Sequence, residues 1–221
     1  MPPPNLRDAR LQLLATRSLS RLPLVEAVAA ALRGGVDMVQ VREKEATDGE
    51  VAATVRELLP VVRGAGALIL VNDRVAVAVE TGADGAHVGP EDLPPEEARR
   101  ILGPERVLGI TTHGLAQARR AAAAGADYVG IGPVFPTGTR RGAVRVIGPE
   151  AAGAVAAALA LPAFAIGGLT PANARRAVEA GCTRLAVCAS ILGSPDPEGA
   201  ARAFLAVLDG KPPPVAIEDV D

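Results

Sequence analysis

An eightfold alternation constrains the fold of this chain more than any other feature. An apolar strand-like run, a short polar or glycine-rich loop and an Ala/Leu-rich helical pattern recur along its length. The runs are "LQLLAT" (11–16), "DMVQVR" (37–42), "ALILV" (67–71), "GAHV" (85–88), "RVLGI" (106–110), "DYVGIG" (127–132), "AFAI" (163–166) and "RLAVC" (184–188). Helical patterns such as "LVEAVAAALRGG" (24–35) and "LAQARRAAAAGA" (115–126) lie between them. Gly34, Gly125 and Gly181 close helices, and Pro94, Pro149, Pro171 and Pro197 stand where helices start. Strands that alternate with helices pair in parallel through right-handed crossovers. The runs lack strict polar alternation, as expected of strands covered on both faces. Eight such units predict an α/β protein, a closed (β/α)8 TIM barrel; a doubly wound open sheet is the alternative. No linker divides the chain. A single domain over 1–221 is expected, with the barrel at about 11–209 and a Pro-rich tail at 210–221.

Bulk properties exclude several classes. The formal charge of -2 gives no electrostatic footprint for nucleic acid or an anionic membrane. No apolar run is long enough to span a bilayer. The start, "MPPPNLRDAR", lacks the apolar centre of a secretory signal. Cys182 and Cys188 have no histidine near them and read as ordinary buried thiols. These features predict a cytoplasmic protein; oligomeric state is not legible.

The stretch "MVQVREKE" (38–45) begins as a buried strand, then places an amide, a guanidinium and an ammonium at alternate positions. Period two puts Gln40, Arg42 and Lys44 on one face if the strand continues. Lys44 also stands against the chain's habit, since only it and Lys211 are lysine among 23 basic residues. In a barrel the active site lies at the carboxyl ends of the strands. The unusual residues fall there: Arg42 and Lys44 after the second strand, Asn72, Asp73 and Arg74 after the third, and Asp92 after the fourth. Thr111, Thr112 and His113 follow the fifth strand, and Thr137, Thr139, Arg140 and Arg141 the sixth. Gly167 and Gly168 follow the seventh, and Ala189 and Ser190 the eighth.

Gly167-Gly168 before a helix lets backbone N–H groups approach a phosphate. Asp73 and Asp92 could share a magnesium ion, which takes one or two carboxylates plus waters and phosphate oxygens. Either could equally pair with an arginine, and Asp92 could cap the following helix. Gln40, Arg42, Lys44, Asn72 and Arg140 suit a diphosphate. Two anion sites on one rim suggest chemistry on two phosphorylated small molecules.

The segments "VQVREK", "LILVNDRVAVAVETGADGAHVGPEDLP", "GADYVGIGPVFPTGTRR", "AIGGLTPANARRAVEAG" and "ILGSPDPEGAARAF" resemble the thiamine phosphate synthase family over about residues 11–208. The resemblance implies a transferase that joins hydroxymethylpyrimidine diphosphate to thiazole phosphate, with Mg2+ as cofactor. It implies that Gln40, Val41, Arg42, Glu43, Lys44, Asn72, Thr111 and Arg140 hold the pyrimidine diphosphate, and that Asp73 and Asp92 hold the metal. It further implies that Thr137, Gly138, Thr139, Gly168, Cys188 and Ala189 hold the thiazole phosphate. The family reaction is dissociative, so Arg42, Lys44 and Arg140 would act by stabilising the departing diphosphate. Four positions depart from the family pattern. Ala15-Thr16 replaces a usual Thr-Asp, Pro90 a glutamine and Arg140 a lysine, while Ala189 stands for a serine with Ser190 one place later. Two competitors share the barrel: a thiazole phosphate tautomerase, in which a histidine placed like His113 shuttles a proton, and a non-catalytic phosphate-binding barrel. The tautomerase needs no diphosphate site, which Gln40, Lys44, Asp73 and Asp92 together favour.

Overall fold

The computed structural model describes residues 6–138 and 145–211. The eight apolar runs form eight strands: β1 (Leu11–Ala15), β2 (Met38–Val41), β3 (Leu68–Asn72), β4 (Gly85–Val88), β5 (Val107–Thr112), β6 (Tyr128–Ile131), β7 (Ala163–Ile166) and β8 (Leu185–Val187). Each pairs in parallel with the next, and β8 returns to β1 through Leu13 opposite Val187. The sheet is a closed barrel, as predicted. Several strand ends shift by a residue or two, and two of the shifts bear on the site: β3 runs on to Asn72 and β5 to Thr112, so Asn72 and Thr111 sit on strands rather than in loops.

The crossovers are α1 (Leu24–Arg33), α2 (Asp48–Gly64), α3 (Val75–Thr81), α4 (Pro95–Leu102), α5 (Leu115–Ala123), α6 (Pro149–Ala157) and α7 (Pro171–Glu179). Two more, α8 (Ala189–Leu192) and α9 (Pro197–Leu208), follow β8. Proline opens α6, α7 and α9 as expected, whereas Pro94 lies one residue before α4. Gly125 and Gly181 take the left-handed backbone past α5 and α7, but after α1 that role falls to Gly35. Gly34 has another use. A Cβ there would lie 2.4 Å from the Glu198 carbonyl oxygen, so glycine lets α1 and α9 close up.

Strand alternation divides the apolar residues into two cores. Leu13, Val39, Val41, Ile69, Val71, Val129 and Val187 point outward and pack under the helices. Leu14, Met38, Leu70, Tyr128, Phe164 and Ala186 fill the barrel's interior. A repeated device pins the bottom of the sheet. Asp37 Oδ2 accepts from the N–H groups of Arg10 and Leu11, Asp84 Oδ2 from Ile69, and Asp127 Oδ2 from Leu108. Each aspartate immediately precedes an even-numbered strand or lies within one residue of its start, and each receives the N–H of the odd strand before it. These charge-assisted bonds fix which residues reach the top rim.

Candidate active site

Strand geometry explains the mixed character of "MVQVREKE". Val39 and Val41 face the helices, so Gln40 faces the barrel axis and is buried. The strand ends at Val41, and Arg42 and Lys44 continue on the rim as irregular chain. Arg42 is held by its backbone, whose N–H donates to Ala15 O (2.8 Å) and whose carbonyl accepts from Thr16 Oγ1 (2.9 Å). Thr16, a departure from the family pattern, thus still serves the site by fixing Arg42. No carboxylate lies within ion-pair distance of the Arg42 guanidinium among the described residues. Val41 and Glu43 are placed differently from the rest of the segment. The Val41 side chain packs outward under the helices, and the Glu43 carboxylate accepts from Arg17 N (2.7 Å), bracing the loop after β1. Any ligand contact of Val41 is therefore a backbone one.

Two adjoining hollows occupy the top of the barrel. The smaller, about 80 Å3, is lined by Arg42, Lys44, Asn72, Asp73, Pro90, Asp92 and Thr111. Asp73 has a left-handed backbone (φ 63°), and its N–H donates to the His87 carbonyl (2.8 Å). Its carboxyl group meets that of Asp92, and Lys44 Nζ donates to Asp73 Oδ2 while lying 3.8 Å from Asp92 Oδ1. Burial pushes Asp73 up to about 6; Asp92 adds to this and Lys44 opposes it. Asp92 moves the other way. Burial would raise it, but hydrogen bonds from Asp73 and from Gly89 N–H (2.7 Å), with the charge of Lys44, hold it below the usual carboxylate range. Asp92 does not cap α4, whose N-cap is Pro94 without a side-chain bond. Arg74 turns aside, donating to Asp48 Oδ1 (2.9 Å) and the Ala46 carbonyl (2.6 Å).

The donor set fits a hard cation of modest demands. Two carboxylates face one hollow, and no cluster of three or more His, Cys, Asp or Glu suited to a metal occurs among the described residues. That leaves the remaining positions to water and ligand oxygens, the habit of magnesium rather than of zinc. Beside them the buried amide Nδ2 of Asn72 has no hydrogen-bond partner among the described residues. An unpartnered buried donor costs about 1–3 kcal/mol, and a ligand acceptor in the hollow would satisfy it.

The larger hollow, about 530 Å3, is lined by Leu14, Leu19, Pro136, Ile166 and Ala186 on its apolar side. Thr137, Gly138, Gly168, Cys188 and Ala189 also border it, together with His113. Gly167 and Gly168 both have positive φ, and a Cβ on Gly168 would lie 2.2 Å from Pro136 O. Only glycine lets the loops after β6 and β7 approach so closely. Thr170 and Asn173 form a capping box at the start of α7, and Asn173 Nδ2 also holds Gly168 O (2.8 Å). Ser190 Oγ donates to Leu169 O (2.6 Å), so the hydroxyl one place after Ala189 braces the loops. His113 Nδ1 lies 2.5 Å from the Gly132 carbonyl, which can only accept, so that nitrogen carries the hydrogen. Thr139, Arg140 and Arg141 lie outside the described residues.

Arg42 and Thr111 line both hollows and mark their junction. Beneath Thr111 lies a buried polar column absent from the expectations: His87, Tyr128 and Gln12. The signal existed, since each is polar inside an apolar run, as Gln40 is.

A thiamine monophosphate synthase family model matches residues 11–191. The chain belongs to that family. It is 43% identical over 192 residues to the thiamine-phosphate synthase of Roseiflexus sp. (strain RS-1), covering 87% of this chain and 81% of the relative. The thiamine-phosphate synthase of Chlorobium luteolum (strain DSM 273 / BCRC 81028 / 2530) is 40% identical over 185 residues, or 84% and 87% of the two chains. Among solved structures, the thiamine phosphate pyrophosphorylase from Pyrococcus furiosus superposes with a TM-score of 0.84 at 35% identity, covering 93% of this chain and 98% of that one. Family membership extends over the whole rim from the loop after β1 to α8, and both hollows fall within it.

Proposed function

We propose that this chain is a magnesium-dependent thiamine phosphate synthase that proceeds by dissociative loss of diphosphate. The observation that carries the reading is the shared border of the two hollows at Arg42 and Thr111. One hollow is small, polar and acidic on one wall; the other is large and mostly apolar. A diphosphate belongs in the first, and the ring systems with the thiazole phosphate in the second. The bond that breaks then lies at the junction.

Asp73 and Asp92 would hold magnesium there, which on binding would neutralise charge growing on the leaving oxygens. Asn72 and Lys44 donate to the same diphosphate, and Arg42, whose guanidinium has no ion-pair partner among the described residues, reaches its junction end. Such donors act by lying in place before the charge develops. The apolar wall of Leu14, Ile166 and Ala186 keeps water from a carbocation long enough for the thiazole nitrogen to capture it. Backbone N–H groups at Gly168, just ahead of α7, and at Ala189, the first residue of α8, suit the thiazole phosphate.

The test supplies both substrates with magnesium and follows diphosphate and thiamine phosphate. Equal release of the two is expected. Proton exchange on the thiazole phosphate without diphosphate would favour the tautomerase. Tight binding of thiazole phosphate with neither reaction would favour a non-catalytic barrel.

A further inference from the structure

The polar column inside the barrel has a direction. Tyr128 is fully buried, and its phenol oxygen lies 3.2 Å from Gln12 Nε2 and 2.9 Å from His87 Nδ1. An amide NH2 group only donates, so of these two partners only the ring nitrogen can accept from the phenol. Its single hydrogen must go to His87 Nδ1. A ring that accepts at Nδ1 is neutral and carries its one N–H on Nε2. Nε2 lies 2.8 Å from Thr111 Oγ1, which must accept. Thr111 makes no donor bond to protein among the described residues, and it borders both hollows. Its hydroxyl hydrogen is left to point at a ligand.

We propose that Tyr128 and His87 are positioning residues that orient the Thr111 hydroxyl as a donor toward the departing diphosphate. The barrel keeps room for them. A Cβ on Gly109 would lie 2.2 Å from Tyr128 Cζ and 2.5 Å from His87 Nδ1, and one on Gly130 would lie 3.3 Å from His87 Cε1. A hydroxyl whose oxygen already accepts a bond is polarised into a better donor. The identity of the acceptor rests on the synthase reading; the direction of the column does not.

Two measurements test it, both on the full chain. The first is 15N NMR of the histidine rings at neutral pH, where only His87 and His113 contribute and His113→Gln assigns them. The expected result is a His87 ring protonated at Nε2 and bare at Nδ1, with this preference lost in Tyr128→Phe. A wild-type ring protonated at Nδ1, or at both nitrogens, overturns the proposal even if no variant folds. The second is a kinetic cycle on diphosphate release. Thr111→Val should lower kcat on the order of 100-fold, and Thr111→Ser should keep most of it. Tyr128→Phe should cost about tenfold alone and nothing further when added to Thr111→Val. An equal loss in both backgrounds would make Tyr128 a packing residue and overturn the proposal. Absence of diphosphate release altogether would count against the synthase reading, while the ring spectra would still decide the column's direction.

Discussion

Asp73 is the residue on which the acidic wall turns. Among the described residues it is the one non-glycine with positive φ. Aspartate and asparagine tolerate that backbone better than other side chains, so Asp73→Asn keeps the turn while removing the charge. It should raise the magnesium needed for half-maximal diphosphate release on the order of tenfold or more, with direct magnesium binding weakened in parallel. Unchanged binding would remove Asp73 from the site. Lys44 is a compact charge set between two carboxylates, a place a forked guanidinium does not fill. Lys44→Arg should lower turnover by about tenfold, equivalent to about 1.4 kcal/mol of transition-state stabilisation; wild-type rates would make Lys44 an ordinary rim residue. His87 supplies a pH dependence of stability. Burial lowers its pKa from 6.5 to about 4, with Asp92 opposing and Lys44 and Arg42 reinforcing, and its ring abuts the neutral Tyr128 phenol. The unfolded chain therefore binds the proton first, and this part of the stability is complete above pH 6.5 and lost as pH falls toward 4. Replacing it, His87→Gln, should remove up to about 1.4 kcal/mol per pH unit of slope in that window. Chemical denaturation at a series of pH values measures this, and an unchanged slope would place a charged ring in the native state.

At the scale of elements, the positions that were hardest to read are those whose meaning is only spatial. Gln40 was legible because it interrupts an apolar run, yet Gln12 in β1, His87 in β4 and Tyr128 in β6 interrupt theirs in the same way. What distinguishes them is that three separate strands bring them to one axis, which no local pattern states. Gly109 and Gly130 are equally silent in sequence and reveal themselves by what would collide with them. Gly109→Ala should destabilise the protein by about 1–3 kcal/mol through overpacking against Tyr128 and His87; denaturant titration checks it, and a neutral result would mean the column is loosely held. The aspartate staples were in plain view as "DMVQV", "DGAHV" and "DYVGIG", but their work was not. Asp127→Ala removes the acceptor for Leu108 N–H and the partner of Arg99. A loss of about 1–3 kcal/mol is expected by the same titration, and no loss would mean that β5 and β6 hold their register without it.

For the whole molecule, eightfold periodicity was enough to specify the barrel, because closure leaves few other ways to cover both faces of eight parallel strands. The periodicity also pointed to one rim, where Arg42, Lys44, Asn72, Asp73, Asp92 and Thr111 line one hollow. It could not say that two hollows share a border, or that Val41 and Glu43 look elsewhere, since those follow from where β2 stops. The account depends on one acidic and basic cup around a departing diphosphate. The most direct measurement is a crystal structure of the chain with magnesium and diphosphate. The account predicts a cation about 2.0–2.1 Å from carboxylate oxygens of Asp73 and Asp92, with diphosphate on it and within hydrogen-bonding reach of Arg42 and Lys44. A cation bound away from both carboxylates, or a diphosphate seated clear of Arg42, would contradict it.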